Sequence, residues 1–573
     1  MKNTNVLLVM IVSLFLVLTV VSPISACTSI YVGKDCSDNG ETYVARSEDI
    51  NSHTKNFVIH EHATHAEGDM YEDEFGFKMP YPAETLRYSA VEDSPEYGDG
   101  DHAFGSVGFN EAGLGISATV TTYAKDEVLA VDPLNEESGL IEASVVNVVL
   151  SQATSAVNGV EILGKVVEEN GVGETFNVWL SDRNETWDFE AVSGHNWVAI
   201  KMPTDKIAVM PNHMNIGVVD VNDAENVLCS ANLIETAKEA NTLVEEDGLI
   251  NVMKSYSPEF DGYNSYRSAA ASKFLAPSRE VGNTDPYYDF MYEPEHKVSI
   301  MDIKNLLSIR YEDEEYSWNN GINENNFDIR PIGVERQAEV HLLQTADQDV
   351  NTQWQAMSNI EFSVFVPFYT SLMTSTPESM HATALIPTDG SYDWTFRTLG
   401  TLCQLDREQY GANVRAYFDA YQEALIEANK DVVAKINELY AEDPKAAEVK
   451  ATELAYAISE EAYNRAELIT NELIQYIAAQ EGNEARYYGD PENEKCIKAV
   501  APFMPSLLEE GVFTDYNFDM KPSTPVETPV VEEEVETPVV EETNSTNPIL
   551  YAVGGVLVGA AVVYFVTKSK KNK

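Results

Sequence analysis

The sequence predicts an α+β fold in which strands dominate the N-terminal and central parts and long helices follow. Two β-rich runs, residues 28–32 and 42–45, flank a turn-rich stretch that contains Asn39 and Gly40. This pattern is typical of a β-hairpin. Residues 407–479 are rich in Ala, Glu, Leu and Tyr and contain few helix breakers, which predicts two or three long helices.

More strands and helices are expected between these two regions. Strands are predicted from β-rich runs at 176–180, 186–192 and 196–202, and helices from apolar periodicity at 141–153 and 159–169. The turn residues at 181–184 separate the first two of these strands. The central part is therefore expected to contain three successive strands.

The N-terminus has the pattern of a secretory signal. Lys2 precedes an almost purely apolar run at 6–21, and the small residues Ser25 and Ala26 follow. We expect residues 1–26 to be a signal peptide that is removed. The alternative is an uncleaved membrane anchor.

The C-terminus predicts a tether. Residues 519–547 form an acidic stalk rich in Pro, Thr and Glu, and such a composition does not form a packed core. The apolar segment 548–567 is just long enough to cross a bilayer, and the lysine-rich tail 568–573 should stay in the cytoplasm. These features predict a single-pass protein at the cell surface, with its folded part outside.

The composition limits the partners. A formal charge of −57 disfavours nucleic acid and anionic surfaces as partners. The histidines at 53, 60, 62 and 65 lack the spacing of a closed ligand set, so no metal or cofactor is expected. The oligomeric state stays open.

Cys27 is the main candidate for chemistry. Cleavage after Ala26 would make Cys27 the first residue of the mature chain, with a thiol and an α-amine on one residue. An α-amine has a pKa of about 8, so part of it is an unprotonated base near neutral pH. The cleavage would create a nucleophile and a general base together.

The cysteine count agrees with a free thiol at Cys27. Five cysteines remain after the leader, and an odd number outside the cell leaves one unpaired. The other four, Cys36, Cys229, Cys403 and Cys496, could form two disulfides in three connectivities, or none.

The predicted hairpin brings charged residues to Cys27. Pairing Gly33 with Glu41 places Cys27 opposite Ser47, beside Arg46 and Asp49. Asp49 could then hold the α-amine by a charge-assisted hydrogen bond. Arg46 could lower the thiol pKa or bind a substrate carboxylate. The alternative is an ordinary surface salt bridge.

Several segments resemble one known family in their order along the chain. They are residues 27–30, 33–34, 45–49, 109–119, 187–190, 194–199, 210–213, 263–267, 339–344 and 363–369. The chain resembles the dipeptidase A family of N-terminal-nucleophile (Ntn) cysteine hydrolases, related to secernins and more distantly to penicillin V acylases and bile salt hydrolases. The resemblance implies an αββα sandwich, with residues 27–403 as catalytic core and 404–518 as its helical C-terminal part.

The resemblance also implies roles for single residues. Cys27 would be the nucleophile and its amine the base, with Asp49 orienting the amine and Arg46 next to the thiolate. Asn212 matches an oxyanion donor and Arg267 a second arginine near the nucleophile, while a further donor is expected within 119–121. His195 would be structural, and Ser47 departs from the asparagine common at that place. The implied reaction is hydrolysis of dipeptides or short peptides through a thioester.

Two other interpretations stay open. Residues 24–27 fit a lipobox, in which a lipidated Cys27 could not act as a nucleophile and the protein would be a lipid-anchored binding module. An amidase or acylase acting on non-peptide amides is the alternative among enzymes.

Overall fold

Strands and helices alternate along the chain in a computed structural model that describes residues 27–50, 54–73, 75–94, 104–382, 390–481 and 501–526. The strands, numbered in chain order, are β1 (Thr28–Val32), β2 (Thr42–Asp49), β3 (Lys55–His60), β4 (Ala63–Thr64), β5 (Met70–Glu72), β6 (Lys78–Pro80), β7 (Glu84–Thr85), β8 (Tyr88–Asp93), β9 (Val107–Phe109), β10 (Gly115–Thr121), β11 (Phe176–Ser181), β12 (Thr186–Ala191), β13 (Trp197–Lys201), β14 (Ile207–Met210), β15 (Val218–Val219), β16 (Val227–Cys229), β17 (Glu245–Glu246), β18 (Leu249–Asn251), β19 (Met291–Tyr292), β20 (Gln337–Thr345), β21 (Thr352–Met357) and β22 (Val366–Phe368).

The helices are numbered in the same way. They are α1 (Asp126–Leu129), α2 (Glu142–Leu150), α3 (Ala156–Asn170), α4 (Leu233–Glu239), α5 (Val252–Tyr256), α6 (Gly262–Leu275), α7 (Ile300–Leu307), α8 (Tyr392–Leu405), α9 (Ala412–Glu442), α10 (Pro444–Glu481) and α11 (Ser506–Glu509). The strands and helices predicted from the sequence are all present, with ends that differ by a few residues.

Two antiparallel sheets hold the strands around the site. The first has seven strands in the order β19-β14-β1-β2-β20-β21-β22, and the second has six in the order β16-β13-β12-β11-β10-β9. Side chains of the two sheets touch: Tyr31 stacks on Trp179 with ring centroids 5.6 Å apart, and Trp179 donates a hydrogen bond to Ser29. Ser117 of β10 likewise contacts His341 of β20 at 2.8 Å.

The first hairpin forms as predicted, but its predicted register is wrong by one residue. Ile30 pairs with Ala45 and Thr28 with Ser47, so Cys27 comes opposite Glu48 and not Ser47. The turn explains the difference, because the side chain of Asn39 accepts the backbone N–H of Glu41 and keeps Glu41 in the loop. Alternation now puts Arg46 and Glu48 on the face of Cys27, and Ser47 and Asp49 on the other face.

Helices cover the second sheet through close packing. A Cβ at Gly159 of α3 would lie 2.4 Å from the Leu180 side chain, and one at Gly164 would lie 2.3 Å from the Trp197 ring. Glycine at these two positions therefore allows the helix to approach the sheet.

The predicted helical C-terminal part contains two long helices, α9 and α10. They meet at Asp443, which is extended and whose carboxylate accepts the N–H of Ala446, while Pro444 begins α10. An acidic N-cap followed by proline is a typical helix start. The Gln422 side chain accepts the Phe365 N–H at 2.7 Å, which joins α9 to the strand region.

The predictions for the two ends fall largely outside the described residues. These are the signal peptide (1–26), most of the stalk, the anchor (548–567) and the basic tail (568–573). Within the described ranges, no helix is both long and apolar enough to cross a membrane. Residues 519–526 are described, and there the Ser523 N–H donates to Glu460 of α10.

The cysteines carry free thiols wherever the structure describes them. Cys27, Cys36, Cys229 and Cys403 are all unpaired, and Cys496 lies outside the described residues. Of the options left open by the sequence, disulfides among Cys36, Cys229 and Cys403 are therefore not formed.

Candidate active site

The Cys27 thiol is buried against a guanidinium. Its residue is only 1% exposed, and Nη2 of Arg46 donates to Sγ at 3.1 Å. Burial raises the pKa of the thiol to about 11, and the positive charge of Arg46 opposes this rise without cancelling it. The expected effect of Arg46 is present, but the thiol stays protonated near neutral pH and requires a base.

Arg46 is fully buried between two carboxylates. Nη2 also lies 2.8 Å from Oε1 of Glu142, and Nη1 lies 4.0 Å from Oε1 of Glu339. A buried guanidinium needs such partners, because an unpaired charge in a low-dielectric interior is costly. These contacts make Arg46 part of the protein's own charge network.

Glu142 is a site residue that the sequence reasoning missed. It begins α2, and its backbone N–H donates to Glu174 at 3.1 Å. The hydroxyl of Thr121, the last residue of β10, lies 3.4 Å from Oε2 of Glu142. Burial raises the pKa of Glu142 to about 7, opposed by Arg46 and assisted by Glu174. The only signal in the sequence was an acidic residue in the predicted helix 141–153.

Arg267 connects Cys27 to Asn212. It lies on α6, which Asp261 caps by accepting the N–H of Asn264. Nη1 donates to the Cys27 carbonyl at 2.5 Å, and Nη2 donates to Oδ1 of Asn212 at 3.0 Å. Burial and the nearby Arg330 lower the pKa of Arg267 to about 10. The arginine predicted from the resemblance thus contacts the backbone of Cys27.

Asn212 lies on the loop after β14 and faces the end of β10. Its Nδ2 donates to the carbonyl of Thr121 at 3.2 Å. Glu190 fixes the same loop, because its carboxylate accepts the N–H of Asn215 at 2.6 Å and that of Ile216 at 3.3 Å. The buried Glu190 was not identified from the sequence.

Asp49 is buried on the other face of β2, where it pairs with Arg330. Its Oδ2 is also 3.4 Å from the Ser47 hydroxyl, whereas Oδ1 has no hydrogen-bond partner among the described residues. Burial raises the pKa of Asp49, and Arg330 is the strongest opposing influence. Asp49 therefore reaches the cluster electrostatically, while Cys27, Arg46, Arg267 and Asn212 are joined by direct contacts.

Histidines and acids form no metal cluster in the part of the chain that the structure describes. His60 pairs with Glu92 and His62 with Glu111, and His53 lies outside the described residues. His195 is bound to Asp132 at 2.8 Å, and both line a cavity whose lining residues do not include Cys27.

Comparisons with known proteins identify the family. Residues 26–420 match the model of peptidase family C69. A probable dipeptidase B of Streptococcus pyogenes is 30% identical over 78% of this chain and 93% of its own length. Probable dipeptidases of Salmonella dublin and Latilactobacillus sakei are 32% and 31% identical, over 60% and 72% of this chain and 81% and 87% of their own lengths. The resemblance inferred from the sequence is confirmed: the chain belongs to peptidase family C69.

Proposed function

We propose that the mature chain is an Ntn cysteine dipeptidase. The observation that carries the proposal is the contact between Cys27 and Arg46 inside a buried cluster that also holds Arg267 and Asn212. Membership of peptidase family C69 supports peptide hydrolysis, and the names of the relatives support dipeptides as substrates.

The reaction begins with removal of residues 1–26, which frees the α-amine of Cys27. The amine takes the thiol proton, Sγ attacks the scissile carbonyl carbon, and an amide donor of Asn212 stabilises the oxyanion. The amine then gives the proton to the leaving nitrogen as the C–N bond breaks, which leaves a thioester. Water, deprotonated by the same amine, hydrolyses the thioester and restores the thiol.

Each charged residue has a task in this scheme. The raised pKa of the thiol makes a base necessary, and Arg46 stabilises the thiolate as it forms. Arg267 holds the Cys27 carbonyl and so the position of the nucleophile. Asp49, whose Oδ1 has no hydrogen-bond partner among the described residues, orients the ammonium form of the amine.

We also propose how the sheets and helices are layered and where in the cell the enzyme acts. The two large sheets would be the inner layers of an αββα sandwich, supported by the contacts between Trp179 and Tyr31 and by the packing of α3 on the second sheet. The enzyme would act outside the cell, tethered by residues 548–567. Support for this location comes only from the apolar segments at the two ends of the sequence.

Hydrolysis of a dipeptide panel by the secreted mature protein tests the function. Cys27→Ala should abolish turnover, because the attacking sulfur is removed. The melting temperature should be retained, because alanine is a similarly small side chain. Full turnover by this variant would refute Cys27 as the nucleophile.

A further inference from the structure

Glu142 is a buried carboxylate that shares a guanidinium nitrogen with the Cys27 thiol. A single nitrogen, Nη2 of Arg46, bridges the Cys27 sulfur at 3.1 Å and Oε1 of Glu142 at 2.8 Å. The nucleophile and this carboxylate are therefore separated by no more than the sum of two hydrogen-bond distances. The role of Glu142 therefore depends on which group of a bound substrate lies between Cys27 and this carboxylate.

Bond lengths fix how far the ammonium lies from the reacting carbon. In a reactive complex the sulfur is about 3–3.5 Å from the scissile carbonyl carbon. The α-nitrogen of the N-terminal residue is two bonds away, about 2.5 Å from that carbon. An ammonium at this distance is within reach of the Glu142 carboxylate.

The charges around Arg46 leave room for another cation. One guanidinium faces both Glu142 and Glu339, His341 also contacts Glu339 at 3.0 Å, and Glu174 accepts the N–H of Glu142. Among the described side chains, the hydrogen bond that Oε2 of Glu142 makes is the long 3.4 Å contact with Thr121.

Thr121 connects this carboxylate to the residue proposed to bind the oxyanion. Its hydroxyl faces Glu142, and its carbonyl accepts Nδ2 of Asn212. One residue at the end of β10 therefore contacts both side chains. The carbonyl oxygen and the ammonium of a dipeptide are also close together, because both are attached through the same α-carbon.

We propose that Glu142 binds the α-ammonium group of the substrate and so selects peptides with a free N-terminus. This inference rests on the proposed function of Cys27 and adds the residue that determines specificity. N-acylated dipeptides and simple acyl amides lack the cation and would leave the carboxylate without its partner.

The test compares Ala-Ala with N-acetyl-Ala-Ala in the mature enzyme and two variants. Glu142→Gln should lower kcat/KM for Ala-Ala about 10- to 100-fold more than for N-acetyl-Ala-Ala, mainly through KM, since a charged hydrogen bond is lost only with the free peptide. Glu339→Gln is the matched control, because it removes another carboxylate that faces Arg46. It should lower kcat/KM by the same factor for both substrates.

If Glu142→Gln lowered kcat/KM equally for both substrates, Glu142 would have a purely structural role and the inference would be overturned. Equal rates for the two substrates in the wild type would overturn it as well, while leaving the dipeptidase function intact. No hydrolysis of either substrate would refute the proposed function itself. If Glu142→Gln does not fold, calorimetry on Cys27→Ala decides: Ala-Ala should bind at least about 10-fold more tightly than N-acetyl-Ala-Ala, and equal binding would contradict the inference.

Discussion

Nη2 of Arg46 lies 3.1 Å from Sγ of Cys27, and both residues are shielded from solvent. This contact sets two opposing influences on the thiol, because burial favours the neutral form and the guanidinium favours the thiolate. Burial prevails, so the nucleophile that we propose would need a base to form. A free α-amine on the same residue would supply that base.

Two substitutions of Arg46 should distinguish the effect of its positive charge from the effect of its side-chain shape. Arg46→Gln should raise the thiol pKa further above about 11, because the main stabilising charge is removed. It should also lower the free energy of unfolding by about 3–5 kcal/mol, since the buried Glu142 loses its cationic partner. The pH dependence of iodoacetamide labelling and urea unfolding measure the two effects. Arg46→Lys keeps the charge and should shift the thiol pKa less; equal labelling profiles for both variants would contradict the electrostatic explanation.

Asp49 should be needed for both activity and stability. Asp49→Asn leaves the buried Arg330 without its carboxylate, so the free energy of unfolding should fall by about 3–5 kcal/mol. Turnover should fall at least about 10-fold, because the charged hydrogen bond that we propose between Asp49 and the amine would be lost. Denaturant titration and dipeptide assays provide the measurements. Asp347→Asn breaks an exposed pair with Arg183 and should change neither quantity, whereas full activity in Asp49→Asn would disprove its role.

A buried acid pair should make stability depend on pH. Asp188 and Glu190 lie on the same face of β12, and burial raises the pKa of Asp188 to about 8. A pKa that is higher in the folded protein than its unfolded value of about 4 means that stability is lost as pH rises from about 4 to about 8. Asp188→Asn keeps the acceptor oxygen for Asn177 and should make the melting temperature less sensitive over this range. If the melting temperatures of the wild type and of Asp188→Asn changed with pH in the same way, the raised pKa of Asp188 would be contradicted. Asp349→Asn, at the surface, is the control.

The packing of α3 on the second sheet can be tested with two glycines. Gly164→Ala should destabilise the protein by about 1–3 kcal/mol, because a Cβ there would lie 2.3 Å from the Trp197 ring. Gly400→Ala in α8 is the matched control, since a Cβ there meets nothing within 4 Å and alanine favours the helix by about 0.5–1 kcal/mol. Opposite shifts in the denaturation midpoint are expected. A neutral Gly164→Ala would show that the helix does not depend on this contact.

Local patterns were sufficient to predict most strands and helices. The β-rich runs around Ile30 and Val178 and the breaker-poor stretch through α9 and α10 carry strong periodic or compositional signals. The register of the first hairpin was less predictable, because the Glu41 N–H donates to the Asn39 side chain and Glu41 stays in the loop. A shift of one residue changes which residues of β2 share a face with Cys27.

The site was predictable only in part, for a similar reason. Cys27 and Arg46 are close in sequence, so a hairpin suffices to bring them together. Glu142 and Arg330 join the cluster from distant elements, and an isolated acidic or basic residue in the sequence does not reveal a buried ion pair. Asn212 and Arg267 were identified through the family resemblance alone, and the structure now joins them by a hydrogen bond.

In the mechanism that we propose, the mature enzyme begins with an unmodified Cys27. Intact-mass measurement with N-terminal sequencing of the active, cell-derived protein tests this most directly. We predict a chain that starts at Cys27, with a mass that shows neither a lipid nor an acyl group on that residue. A diacylglyceryl mass on Cys27, or full activity in a protein that retains residues before it, would contradict the account.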